Sequence, residues 1–145
     1  MLSMFNERTL IYFLTRLTIA VIWFYHGLIP KLLYRSPDEL GMLSVTGMPA
    51  SSVLWLTLLA GWLEIAFALM FIVFWRARWP LWVTIVAMFA ATLGVGISLP
   101  GYLHKAFDPL TFNLAVAVLA ACGLLTAPNL PIAKRCLRQP PQAER

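Results

Sequence analysis

The chain has 145 residues, of which 61% are hydrophobic and only 12% charged, with a mean hydropathy of +0.80 and a formal net charge of +5. A water-soluble domain of this length could not place so many apolar side chains away from water, which excludes an ordinary soluble enzyme. With no soluble domain to carry a basic reading face, the positive charge speaks against nucleic acid as a partner and for membrane topology and anionic lipid.

Residues 1–9 carry Glu7 and Arg8 ahead of an apolar run too long for a signal-peptide core, so the first helix is expected to stay in the mature protein. Four apolar stretches follow, at about 10–29, 52–74, 81–99 and 110–127, each near the ~20 residues that cross a ~30 Å hydrocarbon core. The third and fourth contain no charge. The first two each contain one, Arg16 and Glu64, and a charge at bilayer depth costs at least about 2.5 kcal/mol unless it faces a partner or a wet cavity. Arg16 and Glu64 are therefore expected side by side as a buried ion pair. Ala60, Glu64 and Ala68 share a stripe with Gly61 beside it, so the face bearing the carboxylate admits a close neighbour. Ala90, Gly94 and Ser98 repeat that spacing in the third span, and Ala117 and Ala121 in the fourth, as packing seams.

Between the first two spans, residues 31–51 form the longest loop. Ser36, Pro37, Asp38 and Glu39 read as a helix start, with Ser36 as cap, proline at the first position and Glu39 completing a capping box. Gly47 ends the element. A short surface helix over the mouth of the bundle is expected. A polar layer lies beneath it: His26 and Asn113 each fall about four residues from a span end, roughly 6 Å deep, with Lys31, Glu39, His104, Lys105 and Asp108 at loop level. His26, Lys31, Glu39, Asp108 and Asn113 are thus the candidate ligand or partner site. No catalytic residue is assigned and no cofactor is required by the sequence. Two distant histidines make a poor metal site, and Cys122 and Cys136 are too far apart for a CxxC pair.

Several blocks resemble the DoxX-like membrane family: WFYHGLIPKLL at Trp23 to Leu33, SPDELGML after it, AGWLEIAFAL around Glu64, and LHKAFDPLTFNL from Leu103 to Leu114. The family pattern falls on Arg16, His26, Gly27, Pro30, Lys31, Glu39, Gly61, Glu64, Phe107, Pro109 and Asn113, and departs from it at Asp108, where a small residue is usual. The resemblance implies a four-span protein with an accessory role. Distant relatives include the DoxD and DoxX subunits linked to thiosulfate:quinone oxidoreductase, and similar domains are fused to Rossmann proteins resembling nucleotide-sugar epimerases. A separate oxidoreductase or Rossmann-type protein is therefore an expected partner, with a quinone or other small lipophile between the helices. The alternatives are a small proton-coupled carrier or exporter using Glu64, for which a homo-oligomer would be needed to enclose a path, and a purely structural membrane protein.

The fold class expected is all-α: an integral membrane four-helix bundle, residues 1–130, with a polar tail at 131–145. Arg8, Arg76, Arg78, Lys134, Arg135, Arg138 and Arg145 share one side, against Lys31, Arg35 and Lys105 on the other, which predicts cytoplasmic termini in a bacterial inner membrane. Cysteine labelling from each face of the membrane should place positions 76 and 138 inside and positions 35–45 outside. Labelling of both regions from one side would overturn the four-span arrangement.

Overall fold

A computed structural model describes residues 7–104 and 108–127. Lys105, Phe107, Cys136 and the expected polar tail lie outside the described residues. Helix α1 covers Glu7–His26 and continues into a π-helix at Gly27–Leu33. Then follow α2 (Pro37–Ser44), α3 (Ala50–Val73), α4 (Trp79–Ser98), a 3-10 turn (Pro100–His104) and α5 (Pro109–Thr126). The described residues are helical throughout apart from the connections, and four helices are long and apolar enough to cross a membrane. Their apolar side chains point largely outward: Trp55, Trp62, Phe89, Ile97 and Leu125 are all exposed, as lipid-facing residues are.

The first span outruns its sequence boundary. Pro30 lacks an N–H, and its ring would collide with the carbonyl four residues back if the α-helix continued. Widening to π geometry relieves the clash, and Tyr34 N–H closes the segment on the Ile29 carbonyl at 2.9 Å, five residues back. Lys31, expected in a loop, therefore sits on rigid helix. Helix α2 begins at Pro37 as read, but Ser36 makes no side-chain cap bond, and Glu39 turns to Lys31 instead of completing a capping box. Beyond its end, Gly47 takes φ +73°, the left-handed conformation that glycine tolerates.

Helix α1 is central, packing on α3 and α5, and α5 packs on α4; α3 and α4 barely touch although a short turn joins them. The solid core lies at the end holding that turn, in Tyr12, Ile19, Ala20, Phe71, Leu81 and Ala120. Gly123 completes it, since a Cβ there would meet Thr15 Cγ2 at 2.9 Å.

The expected Arg16–Glu64 pair is not formed. Arg16 is fully buried and commits its guanidinium to the end of α3: Nε and Nη2 donate to the Phe71 carbonyl (3.3 and 2.9 Å), Nη2 to Phe74 O (2.9 Å) and Nη1 to Ala77 O (2.8 Å). Nη1 also donates to Tyr12 Oη (3.0 Å), whose hydroxyl donates to Trp75 O (2.7 Å). The rings of Tyr12, Phe71 and Trp75 surround the cation. Side chains on a helix lean toward its N-terminus, and α1 and α3 run antiparallel, so Arg16 and Glu64 lean toward opposite ends of the bundle. A helix C-terminus also offers unsatisfied carbonyls and the negative end of its dipole, which attract a guanidinium without a second buried charge.

Replacing Arg16 with Met takes the guanidinium donors from the Phe71 and Ala77 carbonyls and leaves Phe74 O only the Ala77 amide, and unfolding in detergent should show a loss of about 3 kcal/mol or more. A loss below about 1 kcal/mol, the worth of one ordinary hydrogen bond, would show that the arginine does not hold the turn.

Candidate functional site

Where α1 and α3 cross, glycine faces glycine. A Cβ on Gly27 would lie 2.5 Å from the Gly61 carbonyl, and one on Gly61 would lie 2.9 Å from the Gly27 carbonyl. The two backbones thus come as close as the chain permits, one turn from Lys31 and one turn from Glu64. Lys31 Nζ pairs with Glu64 Oε1 there and lies 3.8 Å from Glu39 Oε2 on α2. Lysine, not Arg16, is the partner of the membrane carboxylate. Both groups are only partly exposed, and Glu64 Oε2 is buried with no hydrogen-bond partner.

This pair faces a cavity of about 760 Å³ that fills the half of the bundle opposite the solid core. His26, Lys31, Glu39, Asp108 and Asn113 all line it, so the five residues singled out from sequence share one chamber, and Glu64 joins them. The floor is Trp23, whose indole N–H donates to Thr84 Oγ1 (3.2 Å) and whose ring meets Phe67 edge-on at 5.0 Å. One wall is Ala87, Ala91 and Val95 of α4, and Met42 of α2 lies at the rim. The chamber exists because α3 and α4 stand apart at the end of the bundle opposite the core.

His26 and Asn113 do not bond to each other. Asn113 Nδ2 donates to Thr92 Oγ1 (3.0 Å), tying α5 to α4, while the His26 ring lies against Phe112 with centroids 5.4 Å apart. Asp108 caps α5, accepting from the Thr111 amide (2.8 Å) and hydroxyl (2.9 Å). Those bonds, the amide first, hold its carboxyl below the usual carboxylate range, so it is ionised at neutral pH. Tyr102 donates to Asp38 (2.9 Å), fastening α2 to the 3-10 turn before α5. Among the described residues no cluster of three or more acidic, histidine or cysteine side chains could hold a metal.

The sequence reading missed the floor and the α4 wall. Ala87, Ala91 and Val95 recur every fourth residue, as Ala90, Gly94 and Ser98 do, but the two stripes lie about 60° apart around the helix. It is the first stripe that faces the chamber. The second is exposed, and Gly94 has nothing within 4 Å of a Cβ position. Periodicity alone could not choose between them.

Fold and site together define a small four-span membrane protein, solid at one end and hollow and polar at the other. The chain belongs to the DoxX-like family, whose sequence model matches residues 20–121. Neither a curated protein nor a solved structure matches it.

The Lys31–Glu64 pair can be tested by a double-mutant cycle. Lys31→Met and Glu64→Leu should each destabilise by about 2 kcal/mol, less than the roughly 3 to 5 of a fully buried pair because both side chains face an open chamber. The double variant should lose less than the two singles together. Strictly additive losses would mean that the two do not interact.

Proposed function

We propose that this chain is an accessory membrane subunit that holds a small amphiphile in its chamber on behalf of an oxidoreductase or Rossmann-type partner. The observation that carries this reading is convergence: His26, Lys31, Glu39, Glu64, Asp108, Thr111 and Asn113, from α1, its π extension, α2, α3 and α5 with its cap, meet over an apolar wall in one cavity. Few polar groups placed above apolar lining is the ordinary composition of a small-molecule site. An ion pair on its lining can orient a polar head, and a quinone is one molecule with such a head. The apolar wall suits a chain or ring. The accessory role is what membership of the family suggests, and the cation asymmetry supports an inner-membrane location with both termini cytoplasmic.

A second reading, a proton-coupled carrier using Glu64, has its own support: Lys31 lies between two carboxylates, so protonating Glu64 would leave Glu39 to hold the lysine. Uptake into liposomes driven by a pH gradient and lost in Glu64→Gln would favour it.

Filling the chamber tests the first reading. The protein purified in mild detergent should carry a small lipophile that mass spectrometry detects in organic extracts, and Ala91→Trp should reduce that amount several-fold with the melting temperature little changed. Equal extracts from both proteins would refute an amphiphile site, and a co-purifying oxidoreductase would identify the partner.

A further inference from the structure

The charge of the chamber is lopsided. Among the described residues Glu39, Glu64 and Asp108 line it against the single ammonium of Lys31, an excess of acid whichever form His26 takes. Lys31 cannot satisfy its neighbours fully, since it serves Glu64 Oε1 and stands 3.8 Å from Glu39. Glu64 Oε2 is closed off from the chamber and has no donor among the described residues, so the carboxylate relies on Lys31 at Oε1. Asp108 keeps its charge because Thr111 stabilises the carboxylate. Aromatic faces complete the setting: Trp23 forms the floor, and Phe112 stands against His26. Such faces attract a cation and repel an anion.

An apolar strip leads away from this head region. Ala87, Ala91 and Val95 face the chamber from α4, and α4 barely touches α3, whose Glu64 faces the same space. A chain seated on the strip would lie at the opening between these two helices, on the lipid side of the bundle.

We propose that the chamber selects a cationic amphiphile: a protonated amine is held among the carboxylates of Glu39, Glu64 and Asp108 near the Trp23 and Phe112 faces, and its apolar tail lies along Ala87, Ala91 and Val95. This rests on the reading of the chamber as an amphiphile site and names the class of molecule it takes. An anionic head would meet three carboxylates, and a neutral head would leave the acid excess unbalanced. Lys31 holds the Glu64 side chain in place through Oε1, and the ligand's ammonium supplies a second positive charge among the three acidic side chains.

The test uses the full chain in phosphatidylcholine nanodiscs, with binding to empty discs subtracted. Dodecylamine, dodecanol and laurate share a chain and differ in head, and decyl-ubiquinone serves as a neutral quinone. Dodecylamine should bind at least about tenfold more tightly than dodecanol, the worth of one charge-assisted hydrogen bond, and laurate more weakly still. Glu64→Gln should shrink the amine preference to within a few-fold while dodecanol binding holds. Should Glu64→Gln fail to fold, Asp108→Asn, which keeps an N-cap and removes a charge, should lower the same preference about two- to threefold. Equal or tighter binding of dodecanol, laurate or the quinone, competed by Ala91→Trp, would overturn the cation preference and leave an amphiphile site standing. If no probe binds in a way that Ala91→Trp abolishes, the chamber is not an amphiphile site and both readings fall.

Discussion

A single buried guanidinium sets the architecture. Arg16 reaches from α1 to the last turn of α3 and the connection beyond it, where it donates to the carbonyls of Phe71 and Ala77 and adds a second donor to that of Phe74, which also accepts from the Ala77 amide, in a medium without water. Each of its five N–H groups finds an oxygen, counting the two to Phe71 and one to Tyr12. The charge is balanced by the negative end of the α3 dipole and by three aromatic faces, so no acidic partner is needed. Because α1, the α3 end and the turn into α4 are locked there, the solid core of Tyr12, Phe71, Leu81 and Ala120 grows around the arginine.

At the opposite end the constraint is of another kind. Gly27 and Gly61 let α1 and α3 touch backbone to backbone, and the proline-induced π segment then carries Lys31 over Glu64. A lysine on a loop would swing toward headgroups, as long cationic side chains near span ends do. Held on helix, it stays with the carboxylate. The π segment, the glycine crossing and the surface helix bearing Glu39 thus form one device that fixes charge at the rim of a chamber.

Much of this was legible in the sequence, and the failures have physical causes. Span count, surface helix and the residues of the polar layer follow from hydropathy and from proline and glycine placement, which depend on one chain segment at a time. The partner of Arg16 does not. Depth alone puts Arg16 within reach of Glu64, whereas the lean of side chains on antiparallel helices separates them, and that lean is invisible until the helices are paired. The choice of α4 face failed likewise, since Ala87, Ala91 and Val95 are distinguished from Ala90, Gly94 and Ser98 only by which way α4 is turned.

The two ends also differ in what must fill them. As a closed void, about 760 Å³ would cost more, at roughly 24 cal/mol per Å³, than the whole stability of a typical domain. The chamber is instead open to its surroundings: water suits the rim of Lys31, Glu39 and Asp108, and an apolar chain suits the wall of Ala87, Ala91 and Val95. A bundle built only for stability would have closed α4 onto α3 and buried that wall. Keeping them apart at one end is tolerable because Arg16 and the core secure the other, so stability and the open chamber reside in separate halves of the same four helices.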